Sequence, residues 1–397
     1  MLSATVVRVA GHVDHGIGTP IQWRVVGSAV ALLTAGTLWL LPRHGARQAV
    51  LLLIGAALGL VLHHAAFGFT RAYRRLVTVG DTSGVRAQLV MLALATVLFA
   101  PVLASSGDGS GAIAPASLSV VVGAFIFAIG MQLGGGCGSG TLYHVGAGST
   151  PLLVTLVFFI AGSVIATFHM PFWSGVPSLG ELSLGERIGW GPAVTAQLAA
   201  LAVLAVACRL LDGRAASMRD APASRVRHII VTGPWPPVAG GVLLALLNFV
   251  TLLVAGHPWT ITWGFTLWGG KLVTAVGYDL SAVPFWAGAF QQQALAESVL
   301  ADTTSVMDLG LILGAFLGAG LAGRFAPARG VPAGRLVASV IGGLLLGYGA
   351  RIAFGCNIGA LVSGVASTSL HGWLWAAAAL AGTPVGVRLR RVFALGG

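Results

Sequence analysis

Gly134-Gly135-Gly136-Cys137-Gly138-Ser139-Gly140 interrupts a strongly apolar chain, and a counterpart, Gly355-Cys356-Asn357-Ile358-Gly359, lies near the other end. Successive glycines weaken any helix, so both stretches predict breaks between apolar runs. Placing Cys137 on Cys356 puts Gly136 on Gly355, Gly140 on Gly359, Gly130 on Gly349, Gly123 on Gly342 and Leu142 on Leu361. One frame shared by a cysteine and its surrounding glycines predicts an internal repeat. A second pair agrees with it. Phe67-Gly68-Phe69-Thr70 matches Trp263-Gly264-Phe265-Thr266, and a basic residue, Arg75 or Lys271, follows each threonine by five positions. The distance from Gly68 to Cys137 is 69 residues, against 92 from Gly264 to Cys356. The second half therefore carries an extra segment, predicted near 277–300.

Composition names the solvent. Hydrophobic residues make up 56 % of the 397 residues and charged ones 8 %, where soluble proteins carry about 25 % charged residues. A chain with so few charges cannot cover its surface for water, so the bilayer is its solvent. The net charge of +11 would suggest nucleic acid in a soluble protein. Here the arginines sit between apolar runs, as in cytoplasmic loops, and nucleic-acid binding is not expected. Three cysteines cannot form a disulfide framework. Met1 to Thr19 lacks a basic region followed by an apolar core, so the first apolar run, from Val25, is expected to act as an uncleaved anchor.

Runs long enough to span occur near 25–41, 48–66, 87–104, 117–133, 151–170, 192–211, 238–255, 306–326 and 335–354. Segments 134–148, 258–276 and 356–370 are apolar but rich in Gly, Ser, Thr or Trp, and read as short broken helices and re-entrant loops. Such backbone is tolerated at membrane depth only where protein covers it or it lines a cavity. The expected fold class is all-α: a polytopic membrane helix bundle with two pseudo-symmetric halves and re-entrant Gly-Cys loops. The expected division is an N-terminal tail (1–24), a first transmembrane repeat (25–208), a basic cytoplasmic linker (209–237) and a second repeat with a short basic tail (238–397). Arg209, Arg214, Arg219, Arg225 and Arg227 place the linker inside, and Arg388, Arg390 and Arg391 do the same for the C-terminal tail. Loops 105–115 and 171–190 carry little positive charge and belong outside.

Duplicated halves with broken segments in matching places point to a transporter whose site lies where the halves meet. A glycine-rich turn exposes backbone N–H groups that form an anion-binding concavity, and the start of a half-helix adds its dipole. Gly136, Gly138, Gly140, Gly355, Asn357 and Gly359 are the candidates for this role, with Gly68 and Gly264 from the second motif. Cys137 and Cys356 add a weak S–H donor and a polarizable sulfur, suited to a sulfur-containing anion that must bind and leave. A buried structural thiol is the ordinary alternative for either one alone. Cys208 reads as packing. Gln132 and Arg351 stand five residues before the two cysteines. Arg351 is either a counter-charge for an anion or a snorkelling side chain. Arg71, Arg75 and Lys271 either attract an anion or mark the inner face. Gln291, Gln292, Gln293 and Glu297 border a pathway or form a surface loop. His12 and His15, with Asp14, could touch a metal, but a solvated terminus is the ordinary reading. One cysteine per loop makes no closed metal site. No catalytic triad, phosphate-binding loop or dinucleotide fingerprint occurs, so neither an enzyme nor a cofactor is expected.

The two Gly-Cys stretches and the two Gly-Phe-Thr motifs resemble the YeeE/YedE sulfur-transport family over about 25–390. The resemblance implies thiosulfate uptake across the bacterial inner membrane through an hourglass-shaped bundle whose paired loops meet at a central constriction. It also implies three pathway cysteines that pass the substrate by S–H contacts. Two of them fall on Cys137 and Cys356. The third belongs in the first Gly-Phe-Thr region, where this chain has Gly68, and Cys208 does not match that place. Some relatives are linked to selenium compounds, so a selenium substrate is the alternative. A membrane sulfur-handling protein carrying a persulfide on Cys137 or Cys356 is the rival of another class, and a cytoplasmic sulfurtransferase is the soluble partner to expect.

Overall fold

The computed structural model describes residues 20–105, 110–212, 230–328 and 330–395. His12, Asp14 and His15 lie outside the described residues, as do Arg214, Arg219, Arg225 and Arg227 of the linker.

Backbone polar groups at membrane depth must bond within the chain, and helices do this locally. The first half runs through α1 (Trp23–His64), α2 (Phe69–Val79), α3 (Ser83–Ala104), β1 (Pro115–Ser117), α4 (Leu118–Gly134), α5 (Gly138–Gly146), α6 (Thr150–Ser174), β2 (Ser178–Glu181), α7 (Leu184–Ile188) and α8 (Trp190–Leu211). The second continues with α9 (Pro237–Ala255), α10 (Thr262–Ala275), α11 (Ala289–Ala296), α12 (Thr303–Leu321), α13 (Ala333–Ile352), a π-helix (Asn357–Val362), α14 (Ser363–Ala366) and α15 (Leu370–Leu389). Eight helical stretches among the described residues are long and apolar enough to cross a membrane. The protein is an all-α polytopic membrane bundle. The two expected runs 25–41 and 48–66 both fall within α1, which is two helices joined at Gly45 (φ 82°, ψ 170°) just beyond Pro42: Val25 packs against Gly320 and His64 against Gly318, so the two runs return to the same end of α12.

The repeat is visible in how its own glycines meet. Gly123 aligns with Gly342 in sequence, yet it packs against Gly349, where an added Cβ would stand 2.7 Å from the Gly349 carbonyl. Gly130 aligns with Gly349, yet it packs against Gly342, 2.9 Å from that carbonyl by the same measure. Equivalent residues have exchanged partners across the α4–α13 crossing. Only a two-fold axis between antiparallel copies does this, so the halves have inverted topology. The other pairings follow the same operator. α1 lies along α12 as α9 lies along α3, and α6 lies along α13 as α15 lies along α4. Glycines allow the closest approaches: Gly310 faces the Leu52 carbonyl and Gly314 that of Ala56.

α15 was not among the spans expected from sequence. His371, Trp373, Gly382, Thr383, Pro384 and Arg388 dilute its apolar character. It tolerates them because His371, Gly372, Trp375, Gly382 and Thr383 are buried against protein. Part of the awkward segment 356–370 is the π-helix, a form often found at functional sites. The extra segment of the second half folds as α11 and short 3₁₀ turns capping one end of the bundle. β1 and β2 pair antiparallel, Pro115 with Glu181 and Ser117 with Ser178, which ties the start of α4 to the segment after α6. Asp212, at the end of α8, pairs with Arg86 at 2.8 Å and accepts from the Thr82 N–H.

Candidate functional site

Each Gly-Cys stretch makes the same turn. α4 ends at Gly135 in the left-handed region (φ 87°), and the equivalent Phe354 adopts φ 58° without being glycine, a costly conformation for a bulky side chain. The chain then extends through the cysteine, with φ −88° and ψ −168° at Cys137 and φ −97° and ψ −167° at Cys356. Each cysteine is the residue before a new helix begins. Gly355 (φ 153°) has little room as well, since a Cβ there would lie 2.7 Å from the Ala360 nitrogen.

The turn aims helix N-termini at sulfur. Cys137 Sγ accepts from the Gly140 N–H at 3.4 Å, and Ser139 Oγ is equally near. The Phe69 N–H, in the first turn of α2, faces the same thiol. Two short helices thus point their positive ends at one sulfur. Cys356 faces the N–H groups of Ile358 and Gly359. The loops touch: an added Cβ on Gly138 would stand 3.0 Å from Cys356 Sγ. Both cysteines are buried and unoxidised.

A cleft of about 520 Å³ leads to Cys137, lined by Gly68, Thr70, Arg71, Arg74, Arg75, Gly136, Gly140, Tyr143 and His144. Arg335 and Arg390 lie close to Arg74. Burial, with the charges of Arg74 and Arg335, lowers Arg390 to about 10, which leaves it charged at neutral pH. Arg75 bonds Asp81 at 2.6 Å, so its charge is largely balanced, while Arg71 is exposed.

The other sequence candidates divide into two groups. Gln132 is buried and donates to the Thr70 carbonyl at 3.2 Å, tying α4 to α2. Asn357 is fully buried beside Tyr73, with neither amide atom in a sound hydrogen bond. Gly359 abuts Thr260, and Gly264 lies in the first turn of α10. Arg351 instead stacks over Phe285 of the capping segment, 5.1 Å from the ring centre. Lys271 is held by the Leu295 and Glu297 carbonyls. Gln291, Gln292 and Gln293 belong to α11, in that same cap. Cys208 borders an apolar cavity of about 230 Å³ beside α8.

Tyr73, Tyr143 and Arg74 belong to the site but not to the candidates named from sequence. The chain has 4 tyrosines, and these two both bear electrostatically on Cys137. Their placement within a few residues of the repeated motifs was the available signal.

The family described as sulphur transport matches residues 64–385. The chain belongs to this family, the YeeE/YedE proteins. The thiosulfate transporter TsuA of Spirochaeta thermophila is 28 % identical over 341 residues, covering 81 % of this chain and 93 % of that protein. TsuA of Escherichia coli is 25 % identical over 332 residues, covering 81 % and 89 %. The probable transporter YedE of Escherichia coli is 32 % identical over 162 residues, covering 41 % and 39 %. The protein is thus a multi-pass membrane protein of a sulfur-transporter family.

Proposed function

We propose that this sulfur-transport protein is an inner-membrane permease that takes up a small sulfur-containing anion, thiosulfate first among them, by passing it between the two Gly-Cys loops. The observation that carries the proposal is the contact of those loops at Gly138 and Cys356, each thiol standing before a short helix that aims N–H groups at it. Kinship with the TsuA transporters supports the substrate. An anion leaving water needs replacement donors, and backbone N–H groups at helix starts supply them without a full buried cation. Neutral thiols add weak S–H donation, whereas a thiolate would repel the anion. Several weak sites in series admit an ion and release it. In this reading repeats 25–208 and 238–397 supply one loop each, Cys137 opens to the basic cleft, and that cleft faces the cytoplasm. A soluble sulfurtransferase could collect the product there.

The test is uptake of labelled thiosulfate by cells without other routes, challenged with unlabelled sulfite, sulfate, sulfide and selenite. Thiosulfate is expected to compete best. Stronger competition by selenite selects the selenium reading. A persulfide on Cys137 or Cys356, found by intact mass after exposure to thiosulfate, selects the sulfur-carrying reading. Absence of any thiosulfate uptake overturns the proposal.

A further inference from the structure

A carboxyl group that the transport reading leaves unused stands beside the second loop. Asp308, in the second turn of α12, is fully buried, and neither of its carboxyl oxygens has a hydrogen-bond partner among the described residues. Its Oδ2 lies 2.8 Å from where a Cβ on Gly264 would stand. Gly264 is the counterpart of Gly68, which lines the cleft to Cys137. By the two-fold, Gly264 borders the equivalent approach to Cys356, and Asp308 interacts electrostatically with that thiol.

Among the described residues no hydrogen bond or ion pair joins Asp308 to a cation. Asp302 stands at the start of α12, accepting from the Ser305 N–H at 2.7 Å and from Trp263 Nε1 at 2.9 Å. With Gln293, Glu297 and Ser298 it lines a surface cavity of about 170 Å³. Lys271 is engaged by the Leu295 and Glu297 carbonyls. From α1, the amide of Gln48 donates to the Ala301 carbonyl at 2.6 Å. α10 contributes Gly264 and Trp268, whose indole N–H bonds Ser305 Oγ. α5 meets α12 through Gly146, at Ile312 and Ala315. Asp302 and Cys356 act electrostatically with Asp308, while Glu297, Lys271 and, from α1, Arg47, which donates to the Ala255 carbonyl, stand further out. Carboxylates at the mouth of a path do not attract an anion, but they do collect protons.

An unpaired carboxylate at membrane depth is expensive, and one beside Cys356 repels an anion bound there. A proton on Asp308 removes both penalties while the anion passes. We propose that Asp308 is a proton-binding carboxyl that couples proton entry to anion uptake, making the protein a proton symporter. This rests on the anion-transport reading above. The proton comes from water at the Asp302 cavity and leaves to the opposite side with the anion. It offsets one of the two negative charges of thiosulfate, which otherwise enters against the membrane potential.

The test uses purified protein in vesicles with the membrane potential clamped to zero. In wild type, an inward proton gradient is expected to raise labelled thiosulfate uptake several-fold, and thiosulfate added outside is expected to acidify a trapped pH dye. Asp308→Asn should lose the gradient response while still exchanging labelled for unlabelled thiosulfate. Asp308→Glu, which keeps the carboxyl group, should retain part of the response. Wild-type uptake with no gradient response and no acidification overturns the inference whatever the variants do, and so does an undiminished response in Asp308→Asn. If wild type moves no thiosulfate under any gradient, it is the transport reading that fails.

Discussion

Cys137 and Cys356 share a backbone conformation to within about ten degrees, so each offers its sulfur to an anion from the same position relative to the helix it precedes. A hydrogen bond to a charged group contributes about 1.5–3 kcal/mol. Cys137→Ala or Cys356→Ala should therefore lower uptake of labelled thiosulfate about tenfold or more, and the double variant should abolish it. Serine, which keeps a donor, should restore part of the activity in either place. Equal uptake by wild type and the double alanine variant would sink the role of the thiols. Gly68 allows a complementary gain-of-thiol test. Its φ of −157° suits any residue, and a Cβ there meets nothing nearer than the Tyr143 hydroxyl at 3.7 Å. Gly68→Cys should fold with stability within about 0.5 kcal/mol of wild type and react with a thiol reagent entering the cleft. A thiol that stays unreactive in this variant would mean that Gly68 does not face the open cleft. At this scale Gly136 and Gly355 were legible because glycine identity records where a Cβ would crowd the backbone, here the Thr141 and Ala360 nitrogens. Tyr73 depends on a contact between α2 and the π-helix, which no local pattern encodes.

At the scale of elements, the α4–α13 crossing is the hinge of the symmetry. Its glycines were readable as a repeat, but their exchange of partners was not, because a sequence frame says which residues are equivalent and not which ones touch. α15 was hidden for a related reason. A helix covered by α4 needs less apolar surface than one facing lipid, so its hydropathy falls below that of a span. The same covering makes the crossing sensitive to volume. A Cβ on Gly342 would collide with the Gly134 nitrogen, which is backbone and cannot rotate away. Gly342→Val should destabilise the bundle by about 1–3 kcal/mol, the usual cost of overpacking, and more if the loop after Gly134 is displaced. Gly27→Val, with open space around its Cβ position, is the control. Thermal unfolding in detergent should separate the two, and equal melting temperatures would contradict the tight crossing.

Over the whole molecule, basic side chains far apart in the chain converge on one cleft. Arg71, Arg74, Arg335 and Arg390 gather around the cleft to Cys137, while Asp302 and Glu297 line the cavity under the capping segment. The convergence of the arginines was not legible in the sequence, since Arg335 and Arg390 come from segments far along the chain. Crowded like charges raise the local potential and concentrate anions near the opening. The attraction acts through water at the exposed Arg71, so salt screens it: the Debye length is about 10 Å at 0.1 M and about 3 Å at 1 M ionic strength. Entry of thiosulfate from the basic face can be measured in inside-out vesicles. There, Arg71→Gln with Arg74→Gln should raise KM several-fold at low ionic strength and leave the maximal rate nearly unchanged, because these side chains attract the anion before it reaches the thiols. The difference from wild type should shrink as salt is added. A KM difference that persists at 1 M salt would instead make the two arginines direct ligands of the anion, and a fall in maximal rate with KM unchanged would tie them to the passage step rather than to capture.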